Sequence, residues 1–174
     1  INYPYEVIGL LTNGYFHKGE FEEWDLLEGV DGAYTLTSVK GRTHGENRFG
    51  MVLGIITNYT AAHPEGMQRV LLLSDGNFGL GCLSEPECRY TIAAIEMARE
   101  RNLPLEWFPI SSGAKISMDN GTENLDWTAR VLRHIIDFTQ QGGEINLVVD
   151  GINVGAQSYW NAEATMMMHT KGCL

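Results

Sequence analysis

Apolar and polar positions alternate along the chain in two periods, and the switches between them mark out the elements. Pro4-Tyr5-Glu6-Val7-Ile8-Gly9-Leu10-Leu11 fits a short amphipathic helix closed by Asn13-Gly14, whereas Tyr34 to Val39 and Met51 to Asn58 read as strands. Arg69 to Leu73 is a near-continuous apolar run, which predicts a strand covered on both faces. Ser84-Glu85-Pro86-Glu87 supplies an N-cap, a proline in the first turn and a glutamate three residues on, so a helix is predicted to about Arg101 with Cys88, Ile92, Ile95 and Ala98 or Arg99 on one stripe. Leu105 to Ile110 is the next strand, and Leu125, Thr128, Leu132, Ile135, Ile136 and Thr139 trace a second long helix that Gly142-Gly143 stops. The strand Ile145 to Val149, a short helix after Gly155 and a strand from Thr165 to His169 complete the order. Strands alternating with helices over this stretch argue an α/β domain with mostly parallel strands. From Ile1 to Gly32 aromatics and acids mix without a clear period, and residues 1–33 read as an arm packed on the main body, residues 34–174.

Composition narrows the function. The 174 residues suffice for one core, and 44% hydrophobic content is ordinary for a globular chain. A net charge of −10 with twelve scattered Lys and Arg disfavours a nucleic-acid partner. Among the basic residues, Lys40, Arg42 and Arg48 share a polar loop that is either solvated or turned toward a phosphate. Cys82, Cys88 and Cys173 are odd in number and lack metal-ligand spacing, which predicts reduced thiols in a cytoplasmic protein. No apolar run approaches the ~20 residues that span a bilayer, and no basic-then-apolar leader opens the chain, so a soluble protein without a membrane partner is predicted.

Two predicted strands end in bends of small residues, Ser112-Gly113-Ala114 and Gly155-Ala156. In open α/β sheets ligands bind beyond the carboxyl ends of strands, so both bends are predicted to line one crevice. If Gly155 and Ala156 open a helix, their N–H groups lie in its first turn without intrahelical acceptors, which is what a developing oxyanion requires. A plain glycine turn between strand and helix explains the same residues. Other chemistry is poorly supported. There is no Gly-x-Ser-x-Gly, no phosphate-binding glycine loop followed by Lys, no dinucleotide fingerprint, and no histidine in a spacing that identifies a base. Asp119, Glu123 and Asp126 lie where a helix starts and acids are expected anyway, so no metal is predicted.

These bends and their surroundings resemble the N-terminal lobe of the carboxyltransferase domain of acetyl-CoA carboxylase and related biotin-dependent acyl-CoA carboxylases. His63-Pro64-Glu65-Gly66, its strand and Asp75 to Gly81 are similar to the family's Pro-Glu-Gly turn, strand and glycine-punctuated loop. Ser112-Gly113-Ala114-Lys115-Ile116 resembles its Ser-Gly-Ala-Arg-Ile segment, and Gly151 to Tyr159 its oxyanion turn. The match runs from about Met51 to Lys171. It implies a partial crotonase-like β-β-α superhelix and transfer of a carboxyl group from carboxybiotin to an acyl-CoA, as in the ligases of fatty acid biosynthesis. By the resemblance, Gly155 and Ala156 hold the enolate oxygen, while Ser112, Gly113, Ala114, Lys115 and Tyr159 contact the substrate. The implied partners are biotin carrier and biotin carboxylase domains or subunits, and a second copy through pairing of N- and C-lobes. Lys115 departs from the family's Arg, which removes a bidentate fork. Since Leu174 falls before the family's second lobe, this stretch is expected to be inactive alone and to leave apolar surface at Met166, Met167 and Met168 uncovered.

Two readings of other classes stand beside it. A crotonase-family hydratase or isomerase shares the oxyanion turn but adds a carboxylate, for which Glu163 and Asp150 are the nearby choices. A non-catalytic assembly module would use the aromatic-rich arm, Phe21 and Trp24 foremost.

Overall fold

The computed structural model describes residues 3–118 and 121–170, so Asp119, Lys171 and Cys173 lie outside the described residues. Among the described residues a seven-stranded sheet carries four helices. In chain order the elements are α1 (Pro4–Thr12), β1 (Glu20–Glu28), β2 (Tyr34–Val39), β3 (Met51–Asn58), β4 (Met67–Ser74), α2 (Glu85–Arg101), β5 (Leu105–Phe108), α3 (Glu123–Gln140), β6 (Ile145–Val149), α4 (Ala156–Ala162) and β7 (Met166–His169). The strand order is β2-β1-β3-β4-β5-β6-β7. Its amino-terminal half, β1 through β4, pairs antiparallel. From β4 onward every pair is parallel, each strand reached through a helix. The parallel sheet predicted from the alternation is therefore half of a mixed one, as loops rather than helices join β1 to β4.

Side-chain alternation splits the core into two layers. On one face Leu53, Val70, Leu72, Leu105, Trp107 and Leu147 pack with Cys88, Ile95 and Ala98 of α2 and with Val131, Ile135 and Phe138 of α3. On the other, Val52, Ile56, Leu71 and Leu73 lie under Val7 and Ile8 of α1. Both faces of β4 are thus covered, as its apolar run predicts. The α2 cap forms as the sequence specifies: Glu87 accepts from the Ser84 N–H at 3.1 Å, and Asn102 ends the helix in the left-handed region. The buried stripe of α3 is rotated from the predicted one. It runs Asn124, Thr128, Val131, Ile135, Phe138, while Leu125 is left exposed.

One strand escapes the hydrophobic pattern. Glu20–Glu28, which the sequence places in an arm, is β1 and sits between β2 and β3. Its inward positions toward α1 are acids: Asp25 is fully buried and Glu23 nearly so. Arg42 reaches back from the loop after β2 to pair with both, at 2.7 Å to Glu23. Tyr5 donates to Glu23 at 3.1 Å and stacks on His44, and burial together with the Glu23 charge pushes its phenol well above the ordinary value. Arg42 is therefore neither solvated nor available to a phosphate, as its loop suggested. It neutralises a pair of carboxylates that would otherwise be stranded in the core. Phe21 and Trp24 of the same strand are half-buried, one in each core layer. That placement removes the observation behind an aromatic docking arm. Among the described residues no helix is long and apolar enough to cross a membrane.

Candidate functional site

Three connections leave the carboxyl ends of the parallel strands β4, β5 and β6, and they are tied to one another. After β5, Ser111 forms a parallel bridge with Asn153, donating to Ile152 O at 2.7 Å and accepting from Val154 N at 3.1 Å. Ala114 forms a second bridge with Leu83, through Leu83 N to Gly113 O at 2.8 Å and Lys115 N to Leu83 O at 2.7 Å. Ser112 Oγ donates to Gly79 O at 3.2 Å, which joins the Asp75 to Cys82 loop to the same cluster. Glycine is required where these loops press together: a Cβ on Gly81 (φ 73°) would fall 2.1 Å from Ile110 O.

The two small-residue bends meet. Gly155 has φ 65° and ψ −133°, backbone that only glycine adopts readily, and a Cβ there would lie 3.2 Å from the Cα of Gly113, itself at φ 100°. Gly155 is the N-cap of α4 and Ala156 its first residue. Among the described residues neither N–H has a protein acceptor, whereas Gly113 N is taken by Ser111 Oγ at 3.0 Å. Gly155 is exposed and Ala156 half-buried, so the turn that carries the two donors lies at an accessible surface. Such an arrangement can bind a carbonyl oxygen and stabilise charge that grows on it.

The remaining predicted residues are placed as follows. Ser112 and Lys115 are exposed at the second bend, and the Lys115 carbonyl accepts from Asn124 Nδ2 at 2.8 Å, which anchors that bend to α3. Tyr159 stands 70% exposed on α4. Glu163 lies at the far end of α4, seven residues and therefore about 10 Å of helix from the free amides. Asp150 accepts from Thr170 beyond β7. A hollow of about 320 Å³ lies at the opposite, amino-terminal end of β5 and β6, lined by Arg99, Phe138 and Glu144 among others, and has no part in this arrangement. No group of three or more metal-ligating side chains occurs among the described residues.

Sequence reading missed the polar residues beneath the turn. Asn153, Gln157 and Asn161 are all buried, although in sequence they look like surface positions. Their spacing is the overlooked signal, since steps of four place Gln157 and Asn161 on one face of α4 with the buried Trp160 beside them.

The two thiols among the described residues differ in burial. Burial, then Glu87, raises the Cys82 thiol, with Lys115 partly opposing. Cys88 is fully enclosed, and burial followed by Glu87 and Glu85 pushes its thiol up to about 12. At pH 8 its thiolate fraction is on the order of one in ten thousand. Native protein treated with iodoacetamide at pH 8 is therefore expected to be alkylated at Cys82 but not Cys88, and Cys88 should become reactive only after denaturation. Peptide mapping of the two samples reads this. Equal labelling of both in the native state would contradict the enclosure of Cys88.

No family profile matches the chain. It is 34% identical over 108 residues to an acetyl-CoA carboxylase of Saccharomyces cerevisiae, covering 62% of this chain and 4% of that protein. It is 31% identical over 77 residues to the Schizosaccharomyces pombe acetyl-CoA carboxylase, covering 44% of this chain and 3% of the relative. Among solved structures, the beta subunit of geranyl-CoA carboxylase from P. aeruginosa superposes with a TM-score of 0.68 at 21% identity, over 95% of this chain and 28% of that one. The chain thus spans 4% and 3% of the length of these two curated relatives. The sequence match and the fold match agree: the chain is similar in sequence to acetyl-CoA carboxylases over part of its length, and its mixed α/β fold is shared with the geranyl-CoA carboxylase beta subunit.

Proposed function

We propose that this chain carries the enolate-stabilising turn of the carboxyltransferase in a biotin-dependent acyl-CoA carboxylase, with acetyl-CoA as the acceptor that its sequence relatives suggest. The observation behind this is the pair of unpartnered N–H groups at Gly155 and Ala156, set at the carboxyl end of a parallel strand and faced by Gly113. An acyl-CoA thioester fits there: its oxygen needs two converging donors and no side chain in the way, and a Cβ at Gly155 would close the gap to Gly113. Removing a proton from the thioester α-carbon moves charge onto that oxygen, and each donor aimed at it contributes roughly 2.7–4 kcal/mol to the transition state. Ser112, Gly113 and Ala114 form the facing wall. Lys115 offers the anionic end of the acyl-CoA a point charge rather than a fork, and the exposed ring of Tyr159 a flat apolar surface. When bound, carboxybiotin would supply both the carboxyl group that the enolate carbon takes up and, once freed of that carboxyl, the ureido group that accepts the α-proton. Partners of this reading are a biotin carrier, a biotin carboxylase and a facing lobe from a second subunit.

Hydratase chemistry has less support, because Glu163 is separated from the amides by the length of α4. The two chemistries separate in one experiment. In the holoenzyme containing this chain, labelled carboxyl from carboxybiotin should appear in acetyl-CoA, with no hydration of a crotonyl thioester. Hydration without carboxyl transfer would reverse the assignment.

A further inference from the structure

Under the turn runs a chain of three buried side-chain amides. Gln157 Nε2 donates to Asn161 Oδ1 at 2.9 Å, Asn161 Nδ2 donates to Asn153 Oδ1 at 2.9 Å, and Asn153 Nδ2 donates to Pro109 O at 2.9 Å. Asn153 and Gln157 are 0% exposed and Asn161 is 2% exposed. The direction of the chain follows from its last member. A backbone carbonyl only accepts, so Asn153 must present its amino group to Pro109, which leaves its oxygen for Asn161, and the same logic passes to Gln157. The polarity ends on Gln157 Oε1, buried and without a partner among the described residues. An apolar side chain would fill that space without a stranded acceptor, so packing alone does not account for these amides.

The chain grips the turn at its centre. Asn153 lies two residues before Gly155, its carbonyl accepts from Ser158 Oγ of α4 at 3.1 Å, and its backbone neighbours are bonded to Ser111 on both sides. Pro109, at the other end, closely precedes the second bend. We infer that Asn153, Asn161 and Gln157 are positioning residues that fix the aim of the Gly155 and Ala156 amides relative to the Gly113 wall. This rests on the carboxyltransferase reading for its catalytic meaning, though not for its structural content. The three residues touch no substrate. They act by allowing one orientation of the turn, because any rotation of it breaks a directional chain whose links cannot be reversed singly.

Asn161→Asp tests this with almost no change of shape. Protonated, the introduced carboxyl can still donate to Asn153 and accept from Gln157. Ionised, it only accepts, so Asn153 must turn its amino group away from Pro109 and the turn moves. Amide ¹H–¹⁵N signals of Gly155 and Ala156 in the labelled variant should match wild type at low pH and shift away as the carboxyl ionises. In the holoenzyme, kcat for carboxyl transfer to acetyl-CoA should fall at least ~10-fold through the same pH interval with KM nearly constant, while wild type shows no such limb. Gln157→Leu, which deprives only Asn161 Oδ1 of its donor, should give a smaller, pH-independent displacement of the same two signals. Wild-type-like Gly155 and Ala156 signals in both variants at every pH would overturn the inference. So would unfolding of Asn161→Asp at high pH together with a wild-type-like Gln157→Leu. Holoenzyme without any carboxyl transfer refutes the proposed function, and the amide signals then still decide the positioning role.

Discussion

Gly155→Ala is expected to lower carboxyl transfer by roughly 100- to 1,000-fold, the loss found when one oxyanion donor is withdrawn. Alanine keeps the N–H but cannot hold φ 65°, ψ −133° without strain, and its methyl would press on the Gly113 Cα at 3.2 Å. The turn escapes by rotating, which swings the Gly155 or Ala156 N–H off the oxygen. Because the donors act most strongly on the transition state, kcat should carry more of the loss than KM. Gly142→Ala is the matched control: it too has a positive φ, 89°, but open space where the methyl would go, and lies far from the turn. It should lose some stability and keep its turnover. Equal losses of turnover in the two variants would show that Gly155 matters only to folding.

Trp160→Ala is expected to produce the largest loss of stability. The side chain is 2% exposed, its ring lies 5.9 Å from that of Trp107, and its indole N–H donates to Thr128 O at 3.2 Å. Truncating a buried tryptophan costs about 3–5 kcal/mol, through the lost transfer energy and the cavity left behind. For a chain of this size that lowers Tm by on the order of 10 °C. Trp160→Phe keeps most of the ring contact and should cost about 1–2 kcal/mol. Thermal melts of the three proteins measure both, and a Trp160→Ala melt within about 2 °C of wild type, a difference under about 1 kcal/mol, would show that the site around α4 collapses to fill the gap.

Much of the fold was legible because local chemistry and tertiary structure agree. The Ser84 and Glu87 cap, the run Leu71-Leu72-Leu73 and the stop at Gly142 each say the same thing at both levels. β1 was not, because its inward acids are neutralised by Arg42 from the next loop, and a window along the sequence cannot see a charge that arrives from elsewhere. The antiparallel half was hidden for a related reason: strand direction there is set by loops, not by helices. At the site, the bends at Ser112-Gly113-Ala114 and Gly155-Ala156 were readable as small residues after apolar runs. That both would line one crevice was readable as well; that Gly155 presses on Gly113, and that Asn153 ties the turn to Pro109 44 residues away, was not. The buried amides were passed over because Asn and Gln ordinarily face water, although the four-residue step from Gln157 to Asn161 beside Trp160 carried a signal.

The turn is built at the thin end of the sheet. Below it, β4 is covered on both faces by long-range packing, but beside it β7 is four residues long, exposed at every position and paired to β6, and α4 is a helix of seven residues. Such elements open first when a native protein fluctuates, well before its core does. The corner that carries the turn is therefore expected to open locally while the core stays folded. Amide exchange in α4 and β7 should report a smaller opening free energy than exchange in β3 and β4, and a partner that covers this corner would hold the turn shut.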